Sequence, residues 1–136
     1  MPVSELRLIK RCAEFLEQIP KNINLIPPNT RGIYTLLKYQ RKTGKYDVVY
    51  VGMAGGLGKG GIRSRLKTHR RRKGDLWTHF SVFEVWDNIR EEEIRELEGI
   101  LRHIYRADTR ANRLAKQRSF KKLTKVRTDD LELWTR

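Results

Sequence analysis

Two short runs rich in β-branched and aromatic residues, Arg31-Gly32-Ile33-Tyr34-Thr35-Leu36-Leu37 and Val48-Val49-Tyr50-Val51-Gly52-Met53, lie on either side of a polar, glycine-containing turn, Lys42-Thr43-Gly44-Lys45. This pattern predicts an antiparallel hairpin, because such runs suit a pleated surface and the segment between them suits a tight reversal. Each run pairs a tyrosine with a glycine. Side chains alternate faces along a strand, so tyrosines from neighbouring strands can converge on one surface, while Gly32 and Gly52 permit close backbone approach. An anion pocket fits there, and so does an ordinary hairpin with buried tyrosines.

Three downstream features sharpen the choice. The span 61–72 reads as a helix in which Arg65 and His69 are four apart and share a face with Ile62 and Leu66, leaving Arg63, Lys67 and Arg70 to the solvent side. The span 90–106 is the clearest helix. Ile94, Leu97, Leu101, Ile104 and Tyr105 recur at three and four spacing and define an inward stripe. Glu98 projects into that stripe, whereas Glu92, Glu96 and His103 point away. A carboxylate on an apolar face must be paired, hydrogen-bonded or bound to a cation, since burying it alone costs on the order of several kcal/mol. One of the many arginines would serve as well as a metal ion. Asn112 follows in a loop-like stretch, where its amide can cross-link backbone or simply cap a turn.

Taken in order, Gly32-Ile33-Tyr34, Tyr50-Val51-Gly52, Arg65 with His69, Glu98 in a helix and Asn112 after it resemble the GIY-YIG nuclease family, over residues 30–118. The resemblance implies an α+β domain: a small three-stranded antiparallel sheet flanked by helices, with tyrosines, arginine and glutamate meeting on one face. The activity it implies is metal-dependent endonuclease hydrolysis of DNA phosphodiester bonds. By similarity, Tyr34, Tyr50, Arg65, His69 and Glu98 are the catalytic set. Glu98 would hold Mg²⁺ (or Mn²⁺), and Gly32, Gly52 and Asn112 would support the site. Arg65 would neutralise charge on the phosphate, and Tyr34 or His69 would act as general base. A tyrosine near its ordinary pKa of about 10 is a poor base at neutral pH, so this assignment requires Arg65, nearby lysines or metal to favour the phenolate.

The span 53–61 holds five glycines before the basic helix, yet Lys59 is followed by Gly60 and Gly61, so it is not a Walker A loop. A flexible connector is the plainer reading. Thirty Lys plus Arg against sixteen Asp plus Glu give a formal charge of +14, which favours polyanionic partners. Lys59, Arg63, Lys67, Arg70, Arg71, Arg72 and Lys73 form one basic stripe, and Arg113, Lys116 and Arg118 belong to a second, either side of the acidic segment that leads to Glu98. These are the expected nucleic-acid contacts, to DNA with RNA open. A catalytically silent binding module of the same fold is the alternative, and a structural contact on a ribonucleoprotein is a third.

The remaining chain reads coarsely. Residues 4–19 predict an amphipathic helix with Cys12 in its apolar face and Pro20 at its end, and 24–29 a stiff connector. Thr78 to Trp86 alternates and supplies a third strand, with Trp77 and Trp86 as core or strand-end residues and His79 in a structural role. The predicted organisation is an N-terminal helix and connector over 1–29, the nuclease-like domain over 30–120 and a basic tail over 121–136. A lone cysteine allows no internal disulfide, and no apolar run approaches the roughly 20 residues that span a bilayer. The sequence also shows no charged-then-apolar leader pattern, so the expectation is a cytoplasmic protein without membrane contact. One small site cuts one strand, and a homodimer would be needed to cut two.

Overall fold

The computed structural model describes residues 7–55 and 60–105. Along the chain it forms β1 (Ile9–Glu17), α1 (Pro20–Leu25), β2 (Gly32–Gln40), β3 (Lys45–Ala54), α2 (Ile62–Lys73), a 3₁₀ turn (Gly74–Leu76), β4 (His79–Val85) and α3 (Glu91–Tyr105). The strands make one sheet in the order β1-β4-β2-β3, with every neighbouring pair antiparallel. The expected α+β class holds, but the sheet has four strands rather than three. Asn112, Lys59, Arg113, Lys116, Arg118 and the tail over 121–136 lie outside the described residues. Among the described residues no helix is long and apolar enough to cross a membrane.

The extra strand corrects the expected N-terminal helix. Residues 9–17 run as β1 along the outer edge of β4, pairing Cys12 with Phe83 and Leu16 with Phe80. Without β1, one whole side of β4 would leave its peptide groups without partners, and satisfying them outweighs the helical pattern of the segment. Arg11 Nε meets Glu84 Oε1 at 2.6 Å across the same pair. A register shift between Ala13 and Leu16 places Phe15 at a positive φ of 55°, with its N–H donating to Ser81 Oγ at 3.0 Å. Consequently Cys12 is exposed rather than in the core. Pro20 starts α1 instead of ending a helix, a position where its missing N–H costs nothing.

The other predicted elements form close to their expected bounds. Chain reversal at Lys42–Gly44 uses Gly44 at a φ of 68°, with its N–H donating to Gln40 O at 2.8 Å. The start of α3 is set by Glu93, whose Oε1 accepts the Arg90 N–H at 3.0 Å, and by the acidic run Glu91-Glu92-Glu93 against the helix dipole.

The sheet is covered on both faces. On one, Tyr34, Leu36, Phe80 and Val82 pack beneath Ile23 of α1 and Ile62 and Leu66 of α2, with Trp77 closing the end. On the other, Ile33, Val51 and Val85 pack against Ile89 and Ile94, with Leu97 and Leu101 of α3 at the margin. Each fully buried side chain of this kind stabilises by about 1.5–3 kcal/mol. The α3 stripe is shorter than expected: Ile94 is sealed, but Ile104 is 66% exposed. Trp77 is core, whereas Trp86 is largely exposed.

Candidate active site on the tyrosine face

The hairpin register explains how the two tyrosines meet. Tyr34 on β2 lies directly opposite Gly52 on β3, and Leu36 opposite Tyr50. At position 52 a Cβ would stand 2.5 Å from Tyr34 Cζ and hydroxyl and 2.7 Å from Tyr50 Cε1. The absent side chain is therefore the space that the two rings fill, with centroids 6.0 Å apart. Gly32 has a different task. It holds a φ of 151°, and a Cβ there would run into the Phe83 carbonyl oxygen, so only glycine lets β2 and β4 approach at this point.

Helix α2 supplies the second wall. Ile62 and Leu66 anchor it to the sheet, and His69, one turn further on, reaches both tyrosines with ring centroids 5.7 Å from Tyr34 and 4.8 Å from Tyr50. The Tyr34 hydroxyl and His69 Nε2 are 2.9 Å apart, a hydrogen bond. Arg65 is exposed at the rim, close enough for its charge to act on both Tyr34 and His69.

The third wall is α3, and here the structure holds a residue that the sequence reading passed over. Arg102 is 6% exposed. Its Nε donates to Val51 O at 3.0 Å, capping a peptide group of the edge strand, while its guanidinium lies 5.0 Å from the centre of the Tyr50 ring. It also stands 3.6 Å from Glu98 Oε1 one turn back. So Glu98 is placed as expected, at 12% side-chain exposure near the tyrosines, and it does have an arginine beside it. Arg102 Nη1 is buried without a hydrogen-bond partner among the described residues. Four-residue spacing from Glu98 on the same helix face was the available signal.

Electrostatics separates the two candidate bases. Burial, then Tyr50, push the Tyr34 pKa well above the ordinary tyrosine value; Arg65 opposes them and Glu98 adds to them. The phenolate that the sequence reading required is thus disfavoured, and Tyr34 is itself only 2% exposed. His69 moves the other way, down to about 4, because it is half-buried and faces the cations Arg65 and Arg72. At neutral pH both groups are uncharged, and the imidazole keeps a lone pair able to take a proton.

Not every expected contact serves one purpose. Arg63 Nε and Nη2 donate to Ile26 O and Asn24 O, both at 2.7 Å, so this cation ties α2 to the end of α1. Lys67, Arg70, Arg71, Arg72 and Lys73 remain at the exposed surface of α2. His79 lies away from the tyrosine pair, hydrogen-bonded to Thr78 and packed on Tyr39 and Tyr46.

Among the described residues no group of three or more His, Cys, Asp and Glu is arranged to hold a metal. The donor chemistry still fits Mg²⁺, which commonly takes one or two carboxylates and completes its shell with waters and substrate phosphate. Glu98 is the carboxylate that would serve, with the Arg102 guanidinium 3.6 Å away on the same helix. Compared with protein-family models, with curated proteins and with solved structures, the chain matches none of them.

Proposed function

We propose that this protein is a GIY-YIG-type endonuclease that hydrolyses DNA phosphodiester bonds with the help of a divalent cation. One observation carries the reading: Tyr34, Tyr50, His69, Glu98 and Arg65, distant in sequence, gather around one rim of the sheet, with the Tyr34 hydroxyl 2.9 Å from His69 Nε2.

Within this reading the rim arginine Arg65 binds a non-bridging phosphate oxygen and offsets charge that builds up as the phosphorus becomes five-coordinate. Neutral His69 is the proton acceptor. The proton leaving the attacking water ends on Nε2, directly or through the Tyr34 hydroxyl, which passes its own proton on as it takes the new one. No free phenolate forms. Tyr50 orders the water from the side, held under Arg102. Glu98 would hold Mg²⁺, which when bound supplies Lewis-acid polarisation of the phosphoryl group and neutralises the leaving 3′ oxygen.

The nearness of Arg102 to Glu98 favours a second reading, a silent DNA-binding module in which the carboxylate is spent on a structural ion pair. Supercoiled, branched and single-stranded DNA incubated with Mg²⁺, Mn²⁺ or chelator separates the two. The nuclease reading expects nicking that needs the metal and falls by at least about a hundredfold in Glu98→Ala with DNA binding kept. Binding without any cleavage by the wild type would leave the silent module.

A further inference from the structure

Helix α2 has two polar flanks, and only one of them faces the tyrosines. Seen down its axis, Ile62 and Leu66 point into the core, and Arg65, His69 and Arg72 lie to one side of them. The outward side carries Ser64, Lys67, Thr68 and Arg71, and there a groove of about 360 Å³ opens between the helix, Asn29 and Gly60. That volume is in the range of pockets that take a nucleotide-sized ligand. Among the described residues no carboxylate lines it. Lys67 and Arg71, four apart, stack about 6 Å from one another along the helix axis, a ladder of cations whose mutual repulsion a run of phosphates would relieve. The floor is firm: Arg63 ties the helix to the end of α1, Ile62 N–H donates to Thr30 O at 3.0 Å, and Thr68 Oγ1 donates to Ser64 O at 3.1 Å.

We propose that this groove is a second grip on DNA, seating a backbone phosphodiester remote from the bond that the tyrosine face would cut. Helix α2 then works as a divider, with a cutting side and a holding side. The inference rests on the nuclease reading for the identity of the polyanion, while the grip itself is a matter of binding. Lys67 and Arg71 supply the charge, and Asn29, Gly60 and Ser64 shape the seat.

The test is fluorescence anisotropy of short labelled DNA and RNA duplexes in chelator, across a salt series, so that no cleavage enters the measurement. The double variant Lys67→Gln with Arg71→Gln is compared with Arg41→Gln with Lys42→Gln, an equal loss of charge at the exposed hairpin turn. The grip predicts an affinity loss on the order of tenfold for the groove pair and a salt slope flatter by about one to two, with little change for the turn pair. Ser64→Asp guards against a folding artefact, because an acid in the first turn of α2 favours the helix while placing negative charge in the groove. It too should lose affinity. Equal losses in both pairs would reduce the effect to net charge and overturn the grip, as would wild-type affinity in Ser64→Asp. A groove dependence confined to duplex RNA would overturn the choice of DNA. If the wild type never cuts DNA but the groove variants still lose binding, the grip stands and the hydrolytic reading falls.

Discussion

The two faces of the sheet are built from different materials. Under α3 the cluster is aliphatic, with Ile33, Val51, Val85, Ile89 and Ile94. Under α1 and α2 it includes Tyr34, fully sealed yet hydrogen-bonded to a histidine, with Tyr50 at its edge. The first face anchors α3, the helix that carries Glu98 and Arg102. The second makes the same ring serve as core and as candidate site, at the boundary where buried rings meet a basic rim. Arg102 joins the two by reaching from the aliphatic side around strand β3 to the Tyr50 ring.

The division can be broken deliberately. The largest effect is expected for Ile94→Ala, which empties a sealed position and should cost about 2–5 kcal/mol in denaturant unfolding. The His69 ring resonances should stay unchanged, because the cavity opens on the opposite face. Gly52→Ala should cost less, about 1–3 kcal/mol, yet disturb the site more. Its methyl would displace the Tyr34 ring, and the aromatic resonances of Tyr34, Tyr50 and His69 should shift together. If Ile94→Ala moved those signals as far as Gly52→Ala does, the two faces would not be separable.

The smallest effect concerns pH. His69 binds its proton near 6.5 when unfolded and only near 4 when folded. Between those values the unfolded chain holds more protons, so the stability contributed by neutral His69 is complete above about pH 6.5 and is lost as pH falls toward 4. The loss of stability from pH 7 to pH 5, read from urea midpoints, should therefore be smaller in His69→Gln than in the wild type. Identical losses would mean that the imidazole is no more averse to protonation when folded.

Much of this arrangement was legible from the sequence, and the failures have physical causes. The hairpin, α2, β4 and α3 follow from local signals: alternation, three-and-four spacing, a glycine turn and an acidic helix start. That Glu98 faces inward followed from its position in an apolar stripe, whereas its meeting with the tyrosines was what the family resemblance implied. The N-terminal segment misled because Leu8, Cys12, Phe15 and Ile19 repeat at helical spacing, whereas what decides its structure is the open side of β4, more than sixty residues away. Arg102 was hidden by its surroundings, since an arginine on a charged helix reads as solvated unless its spacing from Glu98 is weighed. The choice between Tyr34 and His69 stayed open because sequence shows the nearby cations but not the burial that outweighs them.

The account rests on uncharged Tyr34 paired with a proton-accepting His69, and the rate of plasmid nicking across pH 5 to 9 with saturating Mg²⁺ tests it most directly. The prediction is a rate nearly independent of pH between 6 and 9, since a base that loses its proton near 4 is already free throughout that range. A rate climbing about tenfold per pH unit toward the ordinary tyrosine pKa would show that phenolate is required and would contradict the assignment.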